Sequence, residues 1–316
     1  MTVSTARAGA SLFEGGSMFG RGASRAAWRK AAVILLVALP QLTRAAEQHP
    51  LADVPYVPTP PGVVNAMLEI AGVGPEDYVI DLGSGDGRIV IAAAKQRGAR
   101  GFGVEIDDYL VDIARREAQR AGVAGRVEFR VQDLFSTAID RATVVTMYLF
   151  PWLMVKLRPR LLAELKPGTR VVSHDFDMAG WRPDAQLAVV APDKPIGVPT
   201  SQVYLWIVPA NAAGAWRWSS EEGAGDVEYE LSLRQTFQAL DGSAVVGGRP
   251  VRVENGRMRG NEIHLVLVDE SGNPTLRREF RGRVDGDAIR GKASLPGGGE
   301  RDWNATRISR DSIRLQ

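Results

Sequence analysis

The run Tyr78-Val-Ile-Asp81-Leu-Gly-Ser-Gly-Asp-Gly-Arg88 leaves few folds open to this chain. A short apolar stretch of β-forming residues ends on an acid, glycines follow at alternate positions, and Arg88-Ile-Val-Ile-Ala-Ala-Ala-Lys95 reads as a helix. Strand, glycine loop and helix in that order set a helix N-terminus at the carboxyl edge of a parallel sheet, where nucleoside cofactors bind. The glycines permit positive φ and a close backbone approach to a ligand. The first helical turn supplies unpaired N–H groups. A glycine-rich loop alone is a weak signal. Here the spacing is G-x-G-x-G rather than the G-x-G-x-x-G of dinucleotide folds, and Asp81 precedes the first glycine by two residues. A pyrophosphate would be repelled by that carboxylate, whereas the ammonium of a methionyl group would be attracted.

The flanking sequence carries the same pattern forward. Gly101-Phe-Gly-Val-Glu105 is a second strand ending on an acid, at the distance of about 20 residues where a carboxylate can accept both hydroxyls of a ribose. Its bland alternative is a helix cap. Asp107 to Ala121 has the spacing of an amphipathic helix, with Leu110, Ile113 and Ala114 on one face. In Arg126-Val-Glu-Phe-Arg-Val-Gln-Asp133, residues Val127, Phe129 and Val131 alternate as in a strand. Asp133 and Leu134 then fall where this fold faces the adenine, with a helix N-cap as the alternative for Asp133. Further strands are predicted at Ala142–Phe150, Gly168–His174 and Gln202–Val208, with Pro151 opening a helix. Upstream, Pro55-Tyr-Val-Pro-Thr-Pro60 is a stiff extended segment, and residues 62–71 are helical by periodicity. The expected fold is α/β, a Rossmann-like, doubly wound and mostly parallel sheet over residues 62–209. Ligands would lie at the carboxyl ends of its strands, where Gly83, Glu105, Asp133 and Tyr148 converge. Ser84, Gly85 and Gly87 of the loop, with Ile106 and Leu134 beside the two acids, complete the predicted cofactor contacts.

These residues look familiar together. Tyr56-Val-Pro-Thr59, Asp81-Leu-Gly-Ser-Gly-Asp-Gly-Arg-Ile-Val-Ile-Ala92, Gly103-Val-Glu105 and Asp133-Leu-Phe135 resemble the ATP synthase c-subunit lysine methyltransferases and their bacterial relatives, within the class I S-adenosyl-L-methionine (SAM)-dependent methyltransferases. The resemblance covers roughly residues 50–209. It implies SAM as cofactor and N-methylation of a protein lysine, the alternatives being a small-molecule methyltransferase on the same fold or a non-catalytic SAM- or carbohydrate-binding protein. It also implies that the Pro-rich segment, residues 46–61, folds over the cofactor and brings Tyr56 and Thr59 to its methionyl end. Asp81, Gly83, Gly85, Glu105 and Asp133 would take the roles given above. Tyr56 and Tyr148 are then the candidate catalytic residues, and Tyr56, Tyr148, Phe150 and Trp152 would line the acceptor channel. His174 is read either as a general base or as a satisfied structural histidine. The Asn-Pro-Pro-Tyr motif of methylases acting on bases, glutamine or small amides is absent, which disfavours those acceptors.

Beyond a linker at residues 209–214 the period changes to two. Val227, Tyr229, Leu231, Leu233 and Phe237 alternate with polar residues, as do Ile263, Leu265 and Leu267. Gly256-Arg-Met-Arg-Gly-Asn-Glu-Ile263 is repeated as Gly282-Arg-Val-Asp-Gly-Asp-Ala-Ile289, and each copy reads as a hairpin turning at Gly-Asn or Gly-Asp. A small antiparallel sheet or barrel is expected over residues 215–310, serving either as a docking module or as a passive stabiliser.

Charge and composition limit the partners. The net charge is +2, but residues 1–45 hold six basic residues against Glu14 alone, a local +5 that leaves −3 for the rest. The basic balance therefore belongs to a leader, and no nucleic-acid partner is expected. Arg21, Arg25, Arg29 and Lys30 precede the apolar run Ala31–Leu39, and Thr43-Arg-Ala-Ala46 supplies a small-residue exit. This is the layout of a signal peptide, so export, to the periplasm in a bacterium, is expected. A membrane anchor is the alternative, and either gives transient membrane association through this segment. The chain has no cysteine and three scattered histidines, so no metal site is expected.

Overall fold

The computed structural model of the protein describes residues 55–315 apart from 223–224, 295 and 297. The leader assigned to residues 1–45, and residues 46–54 of the Pro-rich segment, lie outside the described residues.

The first half of the chain alternates strands and helices. In order they are α1 (Pro61–Ile70), β1 (Tyr78–Leu82), α2 (Arg88–Arg97), β2 (Arg100–Glu105), α3 (Asp108–Arg120), β3 (Val127–Val131), β4 (Val144–Met147), α4 (Pro151–Glu164), β5 (Arg170–His174), β6 (Ala185–Val190) and β7 (Thr200–Ile207). Proline opens both α1 and α4, where its missing N–H costs nothing. The strands form one sheet in the order β3-β2-β1-β4-β5-β7-β6. It is parallel from β3 to β5, and β7 runs antiparallel to both β5 and β6. The chain reverses direction across the sheet between β1 and β4, the place where open α/β sheets leave a crevice.

Side chains of the central strands are apolar on both faces, as burial on both sides demands. Val79, Val144, Val172 and Val203 pack under α1 and α2. Ile80, Leu82, Val145, Met147 and Val171 pack under α4. The edge strands depart from the sequence reading. β6 is absent from that reading, because a strand with one neighbour keeps mostly exposed positions and shows no clear apolar alternation. In β3 only Phe129 is buried and Val131 is exposed, since it lies at the open carboxyl end of the sheet edge.

The second half is all β. Strands β8 (Gly214–Glu222), β9 (Gly225–Thr236), β10 (Ala239–Val246), β11 (Arg249–Arg259), β12 (Glu262–Asp269), β13 (Leu276–Asp285), β14 (Ala288–Ser294) and β15 (Glu300–Arg310) follow one another around a closed antiparallel barrel. The two repeats are hairpins turning on Gly260-Asn261 and Gly286-Asp287. Both glycines hold φ near +60°, the conformation a two-residue turn with glycine first requires. Eight strands leave an interior just wide enough for side chains to fill. Trp216, Trp218, Tyr229, Phe280 and Trp303 fill it, with Trp218 stacked on Tyr229 at 4.7 Å and Phe280 edge-on to Trp303 at 5.1 Å.

Sheet and barrel share one piece of core. No helix connects β5 to β6, and the face left open there is covered from the barrel by Phe237 and Leu315. Phe237 stacks on Trp181 at 5.7 Å with Arg158 above its other side. The Ala210 amide donates to the Gly260 carbonyl at 2.7 Å beside this junction.

Candidate active site

A cavity of about 410 Å³ opens at the carboxyl ends of β1, β2 and β4, within the range of small-molecule sites. Its floor is the glycine loop. The Gly83 and Ser84 amides both donate to the Val104 carbonyl, which ties the loop to β2. Gly87 caps α2 with φ +79°, and a Cβ there would strike the Phe129 ring. At Gly85, where φ is +52°, the Tyr56 ring comes within 2.3 Å of where a Cβ would stand. Only glycine allows the Pro-rich segment to lie this close across the loop.

Asp81 sits at the end of β1 and is 1% exposed. Its Oδ1 accepts a 2.7 Å bond from the Thr146 hydroxyl. Burial pushes its carboxyl up to about 7, against the Thr146 bond and with help from Glu105 and Asp86. Glu105 ends β2. Its Oε2 accepts from the Gly85 amide at 3.1 Å, and its Oε1 accepts from the Ile106 and Asp107 amides at 2.7 and 3.2 Å. The Ser84 hydroxyl is buried without a hydrogen-bond partner among the described residues.

Residues 55–59 of the Pro-rich segment form one wall, and Arg88 holds them. The guanidinium donates to the Thr59 carbonyl at 2.9 Å and to Asp86 through Nε and Nη2, and its Nη2 also reaches the Tyr56 hydroxyl. Burial and the neighbouring Asp86 carboxylate push the Tyr56 phenol up to about 12. Asp86 keeps a lowered pKa despite its burial, because Arg88 overrides desolvation. Sequence reasoning misses the Asp86–Arg88 latch, since the bond it makes to Thr59 spans 29 residues.

The cavity thus brings together Tyr56, Thr59, Asp81, Gly83, Ser84, Glu105, Ile106, Leu134 and Tyr148. Gly85, Gly87, Asp133 and His174 are not among its lining residues. Asp133 caps the 3₁₀ turn Leu134–Ser136 by accepting from the Phe135 amide at 2.8 Å, while Gln132 and Leu134 on either side face the cavity. His174 stands behind Thr59, fully buried. Its Nδ1 is 3.2 Å from the Thr59 hydroxyl and its Nε2 is 2.8 Å from the Ser201 hydroxyl. Burial lowers its pKa to about 4, with Asp175 opposing and Lys194 assisting, so it is neutral near pH 7 with both nitrogens engaged, as a structural histidine would be. Phe150 and Trp152 are exposed at the start of α4. Among the described residues no group of His, Asp and Glu is arranged to hold a metal, and no helix is long and apolar enough to cross a membrane.

Comparison with known proteins agrees with this geometry. The ANTKMT methyltransferase domain family matches residues 81–185. A protein-lysine N-methyltransferase of Saccharolobus islandicus is 46% identical over 156 residues, which is 49% of this chain and 94% of that enzyme. The ATP synthase c-subunit lysine N-methyltransferase of Xenopus laevis is 38% identical, and the adenine nucleotide translocase lysine N-methyltransferase of Mus musculus is 39% identical. The alignments cover 41% and 42% of this chain, and only 57% and 58% of the length of those two enzymes. Among solved structures, a Salinibacter ruber RNA methyltransferase in complex with S-adenosyl-L-homocysteine is 54% identical, covering 48% of this chain and 94% of that one with a TM-score of 0.44. With nearly all of the Saccharolobus enzyme covered at this identity, the chain belongs to the protein-lysine N-methyltransferase family.

Proposed function

We propose that this protein transfers a methyl group from SAM to the side-chain amine of a lysine in a protein. The observation that carries the reading is Asp81: a buried carboxylate on the cavity floor, raised to about 7, which gains most from an ammonium ligand and has no stabilising cation beside it among the described residues. The residues present suit SAM. Asp81 would take the methionyl ammonium, and the buried Ser84 hydroxyl offers an unused polar contact. Glu105 would take the ribose hydroxyls, which compete with its two longer amide bonds at 3.1 and 3.2 Å. Leu134 and Ile106, which line the cavity, would flank the adenine. SAM, when bound, supplies a methyl group on a sulfonium that is already a good leaving group.

The chain's own part is to position the reactants and exclude water. Residues 55–60, held by Arg88 through the Thr59 carbonyl, would cover the cofactor. Tyr56 and Tyr148 line the cavity and would give the acceptor an aromatic approach, with Phe150 and Trp152 exposed outside it. The barrel serves as a stabilising cover, and the leader directs export. Radiolabelled SAM incubated with the protein and a whole lysate tests the central claim. Label recovered as methyl-lysine after acid hydrolysis supports it. Label found only in RNA or in small molecules would sink it.

A further inference from the structure

The exposed apolar side chains of this molecule are gathered in one place. With the exception of Ile308 in the barrel, every large apolar side chain that stands exposed among the described residues belongs to a segment at the carboxyl edge of the sheet. These segments are the Pro-rich stretch, the start of α3, the end of β3, the first turns of α4, and the end of β6 with the loop after it. β6 ends at this edge because it runs antiparallel to β7, which itself runs antiparallel to β5. The cavity opens on the same edge. Single exposed apolar residues need no explanation, whereas a concentration of them around one cleft marks an interaction surface.

Rings join this surface to the cavity. Tyr148 lines the cavity. Phe176 stacks on Tyr148 at 6.1 Å, and Phe150 lies 6.3 Å beyond Phe176 at the exposed start of α4, with Trp152 two residues further on. The loop after β6 is fastened next to Phe176. Its Lys194 pairs at 2.7 Å with Asp175, which precedes Phe176 in the chain, and donates to the Thr200 carbonyl at 2.9 Å. Ile196 and Val198 follow Lys194 and are 65% and 67% exposed. Apolar side chains presented on a tethered loop are already placed for a partner, which lowers the ordering cost of docking.

The charge of the edge selects among partners. Asp107, Asp108, Asp177 and Asp193 are exposed there. Of the lysines nearby, Lys194 is taken by Asp175, and Lys156 lies over the Phe135 ring at 4.2 Å. The edge is therefore acidic as well as apolar. An anionic bilayer surface would be repelled by it. A cationic lysine with apolar neighbours would be drawn in by the carboxylates and held by the apolar groups. We propose that this edge docks the polypeptide that carries the acceptor, and that it selects a lysine flanked by apolar residues. Phe150 and Trp152 from α4, with Ile196 and Val198 from the loop after β6, cover the flanking residues while the lysine enters past Tyr148. This inference rests on the lysine reading above and names the acceptor class for it.

The test gives the full chain two peptides of equal length and charge, one with its central lysine between leucines and one with it between serines. The wild type should show a KM about tenfold lower for the leucine peptide at similar kcat, the worth of partly burying two apolar side chains. The double variant Ile196→Ser/Val198→Ser, and separately Trp152→Ser, should raise KM for the leucine peptide about five- to tenfold. In both, kcat and the affinity for S-adenosyl-L-homocysteine should change less than about twofold, which also shows that the variants are folded. Equal KM values for the two peptides in the wild type, or a preference kept in both variants, would overturn the proposal. Cosedimentation with phosphatidylcholine–phosphatidylglycerol vesicles that is lost in the variants would overturn it too, because the edge would then face a membrane. Calorimetric binding of the leucine peptide to the protein loaded with S-adenosyl-L-homocysteine adds a readout apart from activity. If neither peptide is methylated, the lysine reading fails. Weaker peptide binding in the variants would even then support the docking surface, and equal binding would refute it.

Discussion

The sheet and the barrel are both strands wrapped around apolar cores, yet they place their buried polar groups differently. At the carboxyl edge of the sheet, Asp81, Ser84 and Glu105 border open space. The barrel also buries polar atoms without partners among the described residues, namely Trp303 Nε1 and the Nε and Nη1 of Arg278. Trp303 lies among aromatic rings packed 5–6 Å apart, and Arg278 keeps one bond to Glu222 at 3.3 Å. A desolvated polar group beside a cavity is available to a ligand. The same group walled in by rings is a stability cost carried by the packing around it. The sheet should therefore yield changes in binding, and the barrel changes in stability.

The largest effect is expected in the barrel. Trp303→Ala removes a fully buried ring from contact with Trp218 and Phe280 and should cost about 3–5 kcal/mol of unfolding free energy. Well below the melting temperature, calorimetric affinity for S-adenosyl-L-homocysteine should be unchanged. Weaker binding in the folded variant would break the contrast, because it would make the barrel part of the ligand site.

Asp81→Asn should do the reverse. Loss of a charge-assisted hydrogen bond weakens ligand binding by about 1.5–3 kcal/mol, or roughly 10- to 100-fold. Stability should not fall at neutral pH. The folded pKa of Asp81, about 7, lies above its ordinary 3.8, so the unfolded chain ionises first. Its contribution to stability is present below about pH 4 and is lost as pH rises to about 7. Replacing it with Asn should remove that slope in denaturation midpoints measured across this range, and a variant less stable than wild type at pH 8 would refute the sign.

The same carboxyl predicts how binding responds to pH. An ammonium ligand binds the ionised form, so affinity for S-adenosyl-L-homocysteine should rise about tenfold between pH 6 and pH 8, as a group of pKa about 7 goes from mostly neutral to mostly charged. Titrations in buffers of different ionisation heat should show proton release near pH 6.5. A flat profile in the wild type would mean that the ammonium is held elsewhere.

What the sequence disclosed follows the same division. Asp81 and Glu105 were legible because their chemistry is fixed by local order: strand, acid, glycine. The hairpins at Gly260 and Gly286 were legible for the same reason, since a two-residue turn is a local object. Closure of the barrel was not, because β15 meets β8 across nearly the whole second half of the chain and alternation gives strands without partners. Arg88 bonding Thr59, Lys194 pairing with Asp175, and Phe237 covering the face between β5 and β6 depend on tertiary proximity. Nothing in their local sequence marks them. Asp133 was legible in position, while its bond to the Phe135 amide is the alternative that the sequence had also left open.

Asp133 and Asp107 allow the smallest and most discriminating test. Both are N-caps: Asp107 accepts from the Tyr109 and Leu110 amides at the start of α3, and Asp133 accepts from the Phe135 amide. Alanine at either should cost about 1 kcal/mol of stability. If Asp133 also accepts from the exocyclic amine of adenine, Asp133→Ala should weaken binding of S-adenosyl-L-homocysteine by a further 1 kcal/mol or so, about fivefold, and Asp107→Ala should not. The ligand's inosine analogue sharpens this, since it lacks that amine and should bind wild type and Asp133→Ala alike. Equal losses of affinity in the two alanine variants would show that Asp133 acts only as a cap, and adenine recognition would then rest on Leu134, Ile106 and the backbone around Gln132.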